Sequence, residues 1–330
     1  MVRFLSRRAA LAAAAAALWG LASAASQAQA PASSAFPKQT IKVVVPYPAG
    51  GATDILARLF SQKLQEAWGV SVLVENRPGV GGTIGNNAVA KAAPDGHTVL
   101  MAITALIQQP PLMTLPYDPL KDFAPVSLVA KVGSYVVVPQ NSPAQSLKDL
   151  VALVKANPGK YSYGSYGAGT SSHFQGALLN LQAGLDMVHV PFQGAAPLIT
   201  NLVGGQLQAA FVDSASGRAH LKSFRPLAVT GTQRMAALPD VPTFQELGYH
   251  SFDPYGWFGL LLPAGTPEAI VARYAEEVNR ILRLPDVLAK LESMGMVPGG
   301  GKPEDFAQTL RTDAGIYARI IKDANIKLTQ

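Results

Sequence analysis

The sequence predicts an α/β fold of two lobes, each built on a doubly wound sheet, with a helical tail. Three observations predict it. Short β-branched runs alternate with segments of helical period, the pattern of a parallel sheet covered by helices on both faces. The alternation comes as two series, separated by a stretch with five prolines between residues 107 and 125. The chain has 330 residues, more than one hydrophobic core usually fills.

The elements follow in order. Ile41–Val45 is a β-branched run stopped by Pro46, which reads as a buried strand. Residues 54–68 place Leu56, Leu59, Phe60, Leu64 and Ala67 on one helical face. Residues 70–74 form the next strand, and a glycine-rich loop at 79–85 leads into an alanine-rich helix that stops at Pro94. Residues 98–103 are a third strand. The proline-rich segment 107–125 excludes a regular helix, and 126–138 reads as one long or bent strand. The second series has a helix at 146–156, a strand at 161–166 and a helix from Ser171 to Gly184. Strands at 188–192, 207–212 and 226–230 follow, with a short helix at 197–203 between the first two. In the tail, 258–262 is a strand. Thr266, Pro267 and Glu268 supply an N-cap, an N1 proline and a dipole-matching acid for a helix to about residue 284. Two more helices begin at Pro285 and Pro303.

Composition narrows the function. The chain is 48% hydrophobic and 15% charged, which describes a packed protein and not a disordered one. It contains no cysteine, so disulfides, thiolate metal sites and a cysteine nucleophile are excluded. The net charge is +6. Arg3, Arg7 and Arg8 fall in the first thirty residues with no acid beside them, so the remainder carries an excess of only three, and no basic run suggests nucleic acid.

Those arginines precede an apolar run over 9–21 and small residues at 22–24 and 28–30, the layout of a secretory signal. Residues 1–30 are therefore expected to be a signal peptide. Cleavage is placed near Ala24 or Ala28, because Pro31 disfavours a cut after Ala30. Ser6-Arg7-Arg8 leaves the general and twin-arginine routes both open. The apolar run is shorter than the ~20 residues a bilayer requires, and no later span reaches that length. A periplasmic location is expected.

The chemistry lies in loops that leave a strand and open a helix, because ligands of open parallel sheets bind beyond the carboxyl ends of the strands. The first is 46–54, with Tyr47, Ala49, Gly50 and Gly51 ahead of a helix whose unpaired N–H groups suit an anion. Asp54 is expected to cap that helix or pair with Arg58. The second is 164–172, where Ser165, Gly169, Thr170, Ser171 and Ser172 add hydroxyls that suit carboxylate oxygens. Asp213, at a strand end, meets either a ligand or the start of a helix. Tyr47, Phe192 and Trp257 are aromatic candidates near the same cleft, and packing explains them equally well. Three or four hydrogen bonds to a charged ligand contribute about 1.5–3 kcal/mol each, enough for micromolar binding without metal or cofactor.

Catalytic motifs do not fit. There is no G-x-S-x-G elbow and no P-loop, and the glycines of 79–85 break the dinucleotide pattern at Ile84. The five histidines show no zinc spacing. A hydrolase using a serine of 165–172 would require a general base, and no histidine has an evident partner in the sequence. No enzyme and no cofactor is expected.

Eight segments, in order, carry a family resemblance: PYPAGGATDILAR (46–58), VENRPGVGGTIG (74–85), PDGHTVLM (94–101), GAGTSSHFQG (167–176), VPFQGAAP (190–197), LAVTGTQR (227–234), LPDVPTFQELG (238–248) and WFGLLLPAGTP (257–267). From about Phe36 to its end the chain resembles the periplasmic solute receptors of tripartite tricarboxylate transporters, often called Bug receptors. The resemblance implies a two-lobed, type II-like periplasmic binding protein with two strand crossovers. Residues 31–131 plus 254–330 would form the first lobe, completed by the C-terminal helices, and 132–253 the second. It carries ligand roles onto Tyr47, Gly50, Gly51, Gly169, Thr170, Ser171 and Ser172. Asp213 would tune ligand choice, and Thr104 is a further cleft candidate. The family usually has alanine at Val80 and tyrosine at His97. The implied function is to close on a small carboxylate and deliver it, as a monomer, to membrane permease subunits. A sensory receptor with the same cleft is the alternative.

Overall fold

Eleven strands form two sheets among the described residues, 36–252, 255–323 and 326, of a computed structural model. The signal-peptide reading falls outside the described residues. Those from Pro37 onward belong to one compact unit.

The first sheet begins with β1 (Ile41–Val45), α1 (Ala52–Trp68), β2 (Val72–Asn76), α2 (Thr83–Ala90) and β3 (Thr98–Ile103). β1 pairs in parallel with both β2 and β3, with Val43 opposite Val74 and Val44 opposite Leu100. Every residue of β1 except Lys42 is buried, which is why the strand reads as a continuous apolar run. α1 stops where Gly69 adopts a left-handed conformation and returns its N–H to the Gln65 carbonyl.

After β3 a single turn, α3 (Ala105–Gln108), precedes the prolines, and β4 (Phe123–Val132) and β5 (Ser134–Pro139) follow. The expected strand at 126–138 is thus two strands in different sheets, broken at Gly133. The turn α3 overlaps the start of the segment read as non-helical, because the proline constraint acts only from the residue before Pro110.

The second sheet contains β5, α4 (Leu147–Ala156), β6 (Ser162–Ser165), α5 (Ser171–Ala183), β7 (Val188–Pro191), α6 (Ala195–Val203), β8 (Ala209–Asp213), the turn α7 (Ser214–Gly217) and β9 (Phe224–Val229), in spatial order β7-β6-β8-β5-β9. α4 opens with a capping box: the Asp149 N–H donates to Ser146 Oγ, and the Ser146 N–H donates to the Asp149 carboxylate. α6 starts two residues before the expected helix.

The chain returns through β10 (Gly256–Pro263), α8 (Glu268–Ile281), α9 (Pro285–Ser293), β11 (Met296–Gly300) and α10 (Pro303–Asp323). The first sheet is ordered β11-β4-β10-β3-β1-β2. β10 runs antiparallel between β3 and β4, and β5 runs antiparallel to β8 and β9. Both sheets are therefore mixed, with a parallel βαβ core and antiparallel members where the chain passes between them. α8 starts after Pro267, and Thr266 Oγ1 donates to the Pro263 carbonyl instead of capping. β11 was not legible in the sequence because it contains Pro298, Gly299 and Gly300. It pairs only with β4, and a sheet edge tolerates proline.

Candidate functional site

The loop from β1 to α1 is built around Asp54. Its carboxylate accepts from the Gly50 N–H at 3.0 Å, Arg58 Nε at 2.9 Å and Asn76 Nδ2 at 3.0 Å. Burial pushes this carboxyl up, but Arg58, Gly50 and Asn76 outweigh it and hold it below the usual carboxylate range. Of the two sequence readings of Asp54, pairing with Arg58 is realised and helix capping is not: Gly51 is the N-cap, no side chain caps the helix, and Asp54 bonds back to the loop instead. Asn76 also donates to the Tyr47 carbonyl at 3.0 Å. The Tyr47 hydroxyl, kept protonated by burial, donates to the Gly81 carbonyl at 2.9 Å.

The loop from β6 to α5 is held mainly by its own hydroxyls. Thr170 Oγ1 donates to the Gly167 carbonyl at 2.7 Å and lies 3.0 Å from Ser172 Oγ, which accepts the Tyr166 N–H at 2.9 Å. The Gly169 N–H donates to His173 Nδ1 at 3.2 Å. Ser165 Oγ is 2.6 Å from His189 Nε2 and accepts the Gly167 N–H at 3.1 Å. Ser165 therefore does have a histidine partner, contrary to the sequence expectation. It is 0% exposed and is not among the residues that line the cavity described next; with His189 it braces the loop. Burial lowers His173 to about 4. Burial, then the neighbouring His173, lowers His189 to about 3, so both rings are neutral.

These loops meet at a cavity of about 70 Å³, room for several waters or one small acid at roughly 10–15 Å³ per water position. Three helix N-termini line it. Gly51, Ala52 and Thr53 come from α1, Thr170 and Ser171 from α5, and Gly194, Ala195 and Ala196 from α6. The first intrahelical bonds of α1 and α5 begin at the Ile55 and Phe174 N–H groups, so the N–H groups before them lie outside the helical ladder. Their partial positive ends face a space with no lysine or arginine among its described lining residues.

Of the residues expected at the site, Tyr47, Gly51, Thr104, Thr170, Ser171 and Asp213 line this cavity. Ala49, Gly50, Ser165, Gly169 and Ser172 do not, and the last four of these shape the loops behind it. Phe192 borders a small neighbouring hollow with Tyr47 and the 79–82 loop. Thr104 is occupied structurally: its Oγ1 accepts the Trp257 N–H at 2.7 Å. Trp257 lines the cavity and anchors its indole N–H on Asp313 at 3.1 Å. The sequence reading missed Tyr166, Ser134, Ser216 and the α6 N-terminus. The last had the same signal as the other two loops, a strand followed by glycine and a helix.

Asp213 is the one carboxylate in the cavity wall among the described lining residues. It also caps α7, accepting the Ser216 N–H at 2.8 Å and Ser216 Oγ at 3.2 Å, and its own N–H donates to the Tyr166 hydroxyl. Burial raises its pKa, opposed by Tyr166 and Ser216. Among the described residues no cluster of three or more His, Asp or Glu is placed to hold a metal ion.

Two mixed sheets between which the chain passes at Gly133, with a cavity ringed by helix N-termini, define a periplasmic-binding-protein fold, and solved proteins of that class superpose on the chain. The chain belongs to the tripartite tricarboxylate transporter receptor family, whose model matches residues 56–326; it is a solute-binding receptor of that family. It is 38% identical over 300 residues to a protein encoded in the tcbD–tcbE intergenic region of Pseudomonas sp. strain P51, covering 90% of this chain and 89% of that one. Among solved structures, the periplasmic binding protein BugD has a TM-score of 0.84 at 30% identity, over 88% of this chain and 99% of that one. An R. palustris protein solved with adipate has a TM-score of 0.85 at 31% identity, over 88% and 99%. MatC from Rhodopseudomonas palustris, solved with bound malate, has a TM-score of 0.82 at 31% identity, over 87% and 100%.

Proposed function

We propose that this receptor captures a small carboxylate in the cavity between α1, α5 and α6 and releases it, unchanged, to membrane permease subunits of a tripartite tricarboxylate transporter. The observation that carries the reading is the convergence of three helix N-termini on a space whose described lining has no basic side chain. Amide dipoles and the N–H groups ahead of the helical ladders then supply the attraction for an anion, beside the Ser171 hydroxyl. Adipate and malate in related structures point to the same class of ligand.

In this reading residues 31–131 plus 254–330 form one lobe and 132–253 the other. The first sheet draws its strands from 41–132 and 256–300 and the second from 134–229, which supports that division. The loops close on the ligand by movement at the crossovers, so ligand shifts an existing open–closed equilibrium. The protein acts in the periplasm, after removal of a signal peptide within residues 1–30, as a monomer that turns nothing over.

A thermal-shift screen against a carboxylate library that includes malate and adipate tests this directly, because ligand stabilises the folded form by mass action. At least one acid is expected to raise the melting temperature by several degrees. Thr170→Ala and Ser171→Ala should each weaken its binding about five- to tenfold in calorimetry. A library in which no acid stabilises the protein would remove the reading.

A further inference from the structure

Gln108 and Gln109 close the single turn α3, and both are 0% exposed. An amide buried so completely is costly unless it is hydrogen-bonded, so the partners of these two side chains are informative. Gln109 braces its own side of the molecule. Its Nε2 donates to the Gly81 carbonyl at 3.0 Å, and its Oε1 accepts from Thr83 Oγ1 at 3.2 Å. Gln108 reaches across. Its amide lies 3.0 Å through Nε2 and 3.1 Å through Oε1 from Ser171 Oγ, the first residue of α5 and a wall of the cavity.

α3 follows β3 of the first sheet, whereas α5 follows β6 of the second. The Gln108–Ser171 contact is therefore a direct side-chain bond between the two halves. Nearby backbones also touch: a Cβ added to Gly81 would lie 2.6 Å from the Ala168 carbonyl oxygen, and one added to Gly169 would lie 2.9 Å from Gln109 Cγ. Gln109 and the 79–82 loop thus form the surface on which the second loop seats, and Gln108 is the group that bonds to it.

We propose that Gln108 is a positioning residue for ligand capture: it holds Ser171 against the first half of the molecule and populates the closed arrangement before ligand arrives. The proposal rests on the hinged reading above. A receptor whose competent form is already partly populated binds with a smaller conformational penalty, so the latch sets apparent affinity without touching ligand. Separating the halves breaks the contact at Ser171 and leaves the turn α3 attached to β3 in the first half, so the bond acts on closure and not on folding.

The chain contains no cysteine, so two can be introduced for spin labels without background. Lys91→Cys and Leu181→Cys fall on exposed positions of the two halves. Pulsed electron resonance on the full chain then reads the distance distribution, alone and with each acid of the screening panel, malate and adipate included. The ligand-free chain should show a short-distance population that coincides with the position saturating acid produces. Gln108→Leu should reduce the closed-to-open ratio about five- to tenfold, the scale of one net hydrogen bond, with the thermal melt of the ligand-free protein little changed. Ser171→Ala removes the other partner and should do the same, and the double variant should fall no further; Ser171→Ala alone carries the test should Gln108→Leu fail to fold. A ligand-free chain that is entirely open, or a ratio that neither variant changes, overturns the latch and leaves the hinged receptor standing. A single distance that no acid and no variant moves overturns both.

Discussion

The imidazole of His189 stacks on that of His173, with ring centroids 4.0 Å apart and planes 12° apart. The stack lies directly behind the 165–172 loop and bonds to it at two points, through Ser165 and through the Gly169 N–H. A cation would disrupt both roles, since His173 Nδ1 must stay unprotonated to accept and two imidazolium rings in contact repel. The loop that presents Thr170 and Ser171 therefore depends on two neutral histidines.

A pH dependence of stability follows. In the unfolded chain histidine titrates near 6.5, whereas burial holds the folded values at about 4 for His173 and about 3 for His189. The unfolded state thus binds more protons below pH 6.5, and stability falls as pH drops from there toward the folded values. Each pKa unit corresponds to about 1.4 kcal/mol, so the pair is worth several kcal/mol that is lost in acid. Denaturant titrations from pH 7.5 to 5, above the carboxylate range, should show the decline beginning near 6.5. A His173→Gln, His189→Gln double variant should flatten it. A native curve already flat over that interval would contradict the assignment.

Asp54 makes a second case, in which a buried charge is required by geometry and not by ligand. Asp54→Ala leaves the Gly50 N–H, Arg58 and Asn76 without their common acceptor. The expected cost is about 2–3 kcal/mol in urea denaturation, together with weaker ligand binding, because Asn76 also fixes Tyr47 through its carbonyl. Asp54→Asn, which keeps an acceptor oxygen, should recover part of both. Loss of binding with no loss of stability would instead make Asp54 a ligand contact.

Gly81 and Gly50 separate strain from closure. Both have positive φ, +62° and +89°, so alanine at either is strained by about 1 kcal/mol or more. Only at Gly81 does the new Cβ meet the opposite half, at 2.6 Å from the Ala168 oxygen; at Gly50 it meets nothing within 4 Å. Gly81→Ala should weaken ligand affinity more than tenfold in calorimetry and should melt somewhat below Gly50→Ala, because the new Cβ also lies 2.6 Å from Gln109 Nε2 of its own half. Gly50→Ala should change affinity only a few-fold. Equal effects on affinity would show that the 81–168 contact plays no part in closure.

Asp213 brings negative charge to a cavity otherwise arranged for an anion. Asp213→Asn keeps an acceptor for the Ser216 N–H and removes the charge. Affinity for a dianion is expected to rise about tenfold relative to that for a monoanion of similar size, since a like charge a few ångströms away is removed from a poorly solvated site. Competition binding with malate and a monocarboxylate reads the ratio. An unchanged ratio would confine Asp213 to capping α7.

Much of this architecture is written locally. The apolar run of Ile41–Val45, the α1 face, the Gly69 and Gly184 stops and the two glycine-bearing loops all depend on residues within one or two turns, so period and turn chemistry reveal them. The eight motif segments likewise place the chain in its receptor family, and the family match spans 56–326.

Tertiary structure decided what the loops do. Whether a hydroxyl of 165–172 faces the cavity or braces the loop depends on where His173, His189 and Tyr166 stand, and so Ser171 lines the cavity while Ser165 and Ser172 lie behind it. The break at Gly133, the arrival of the α6 N-terminus and the bond from Gln108 to Ser171 join residues far apart in the chain. Short-range patterning fixes which face of an element is apolar. Only the packing of two sheets joined by crossing strands fixes which elements meet.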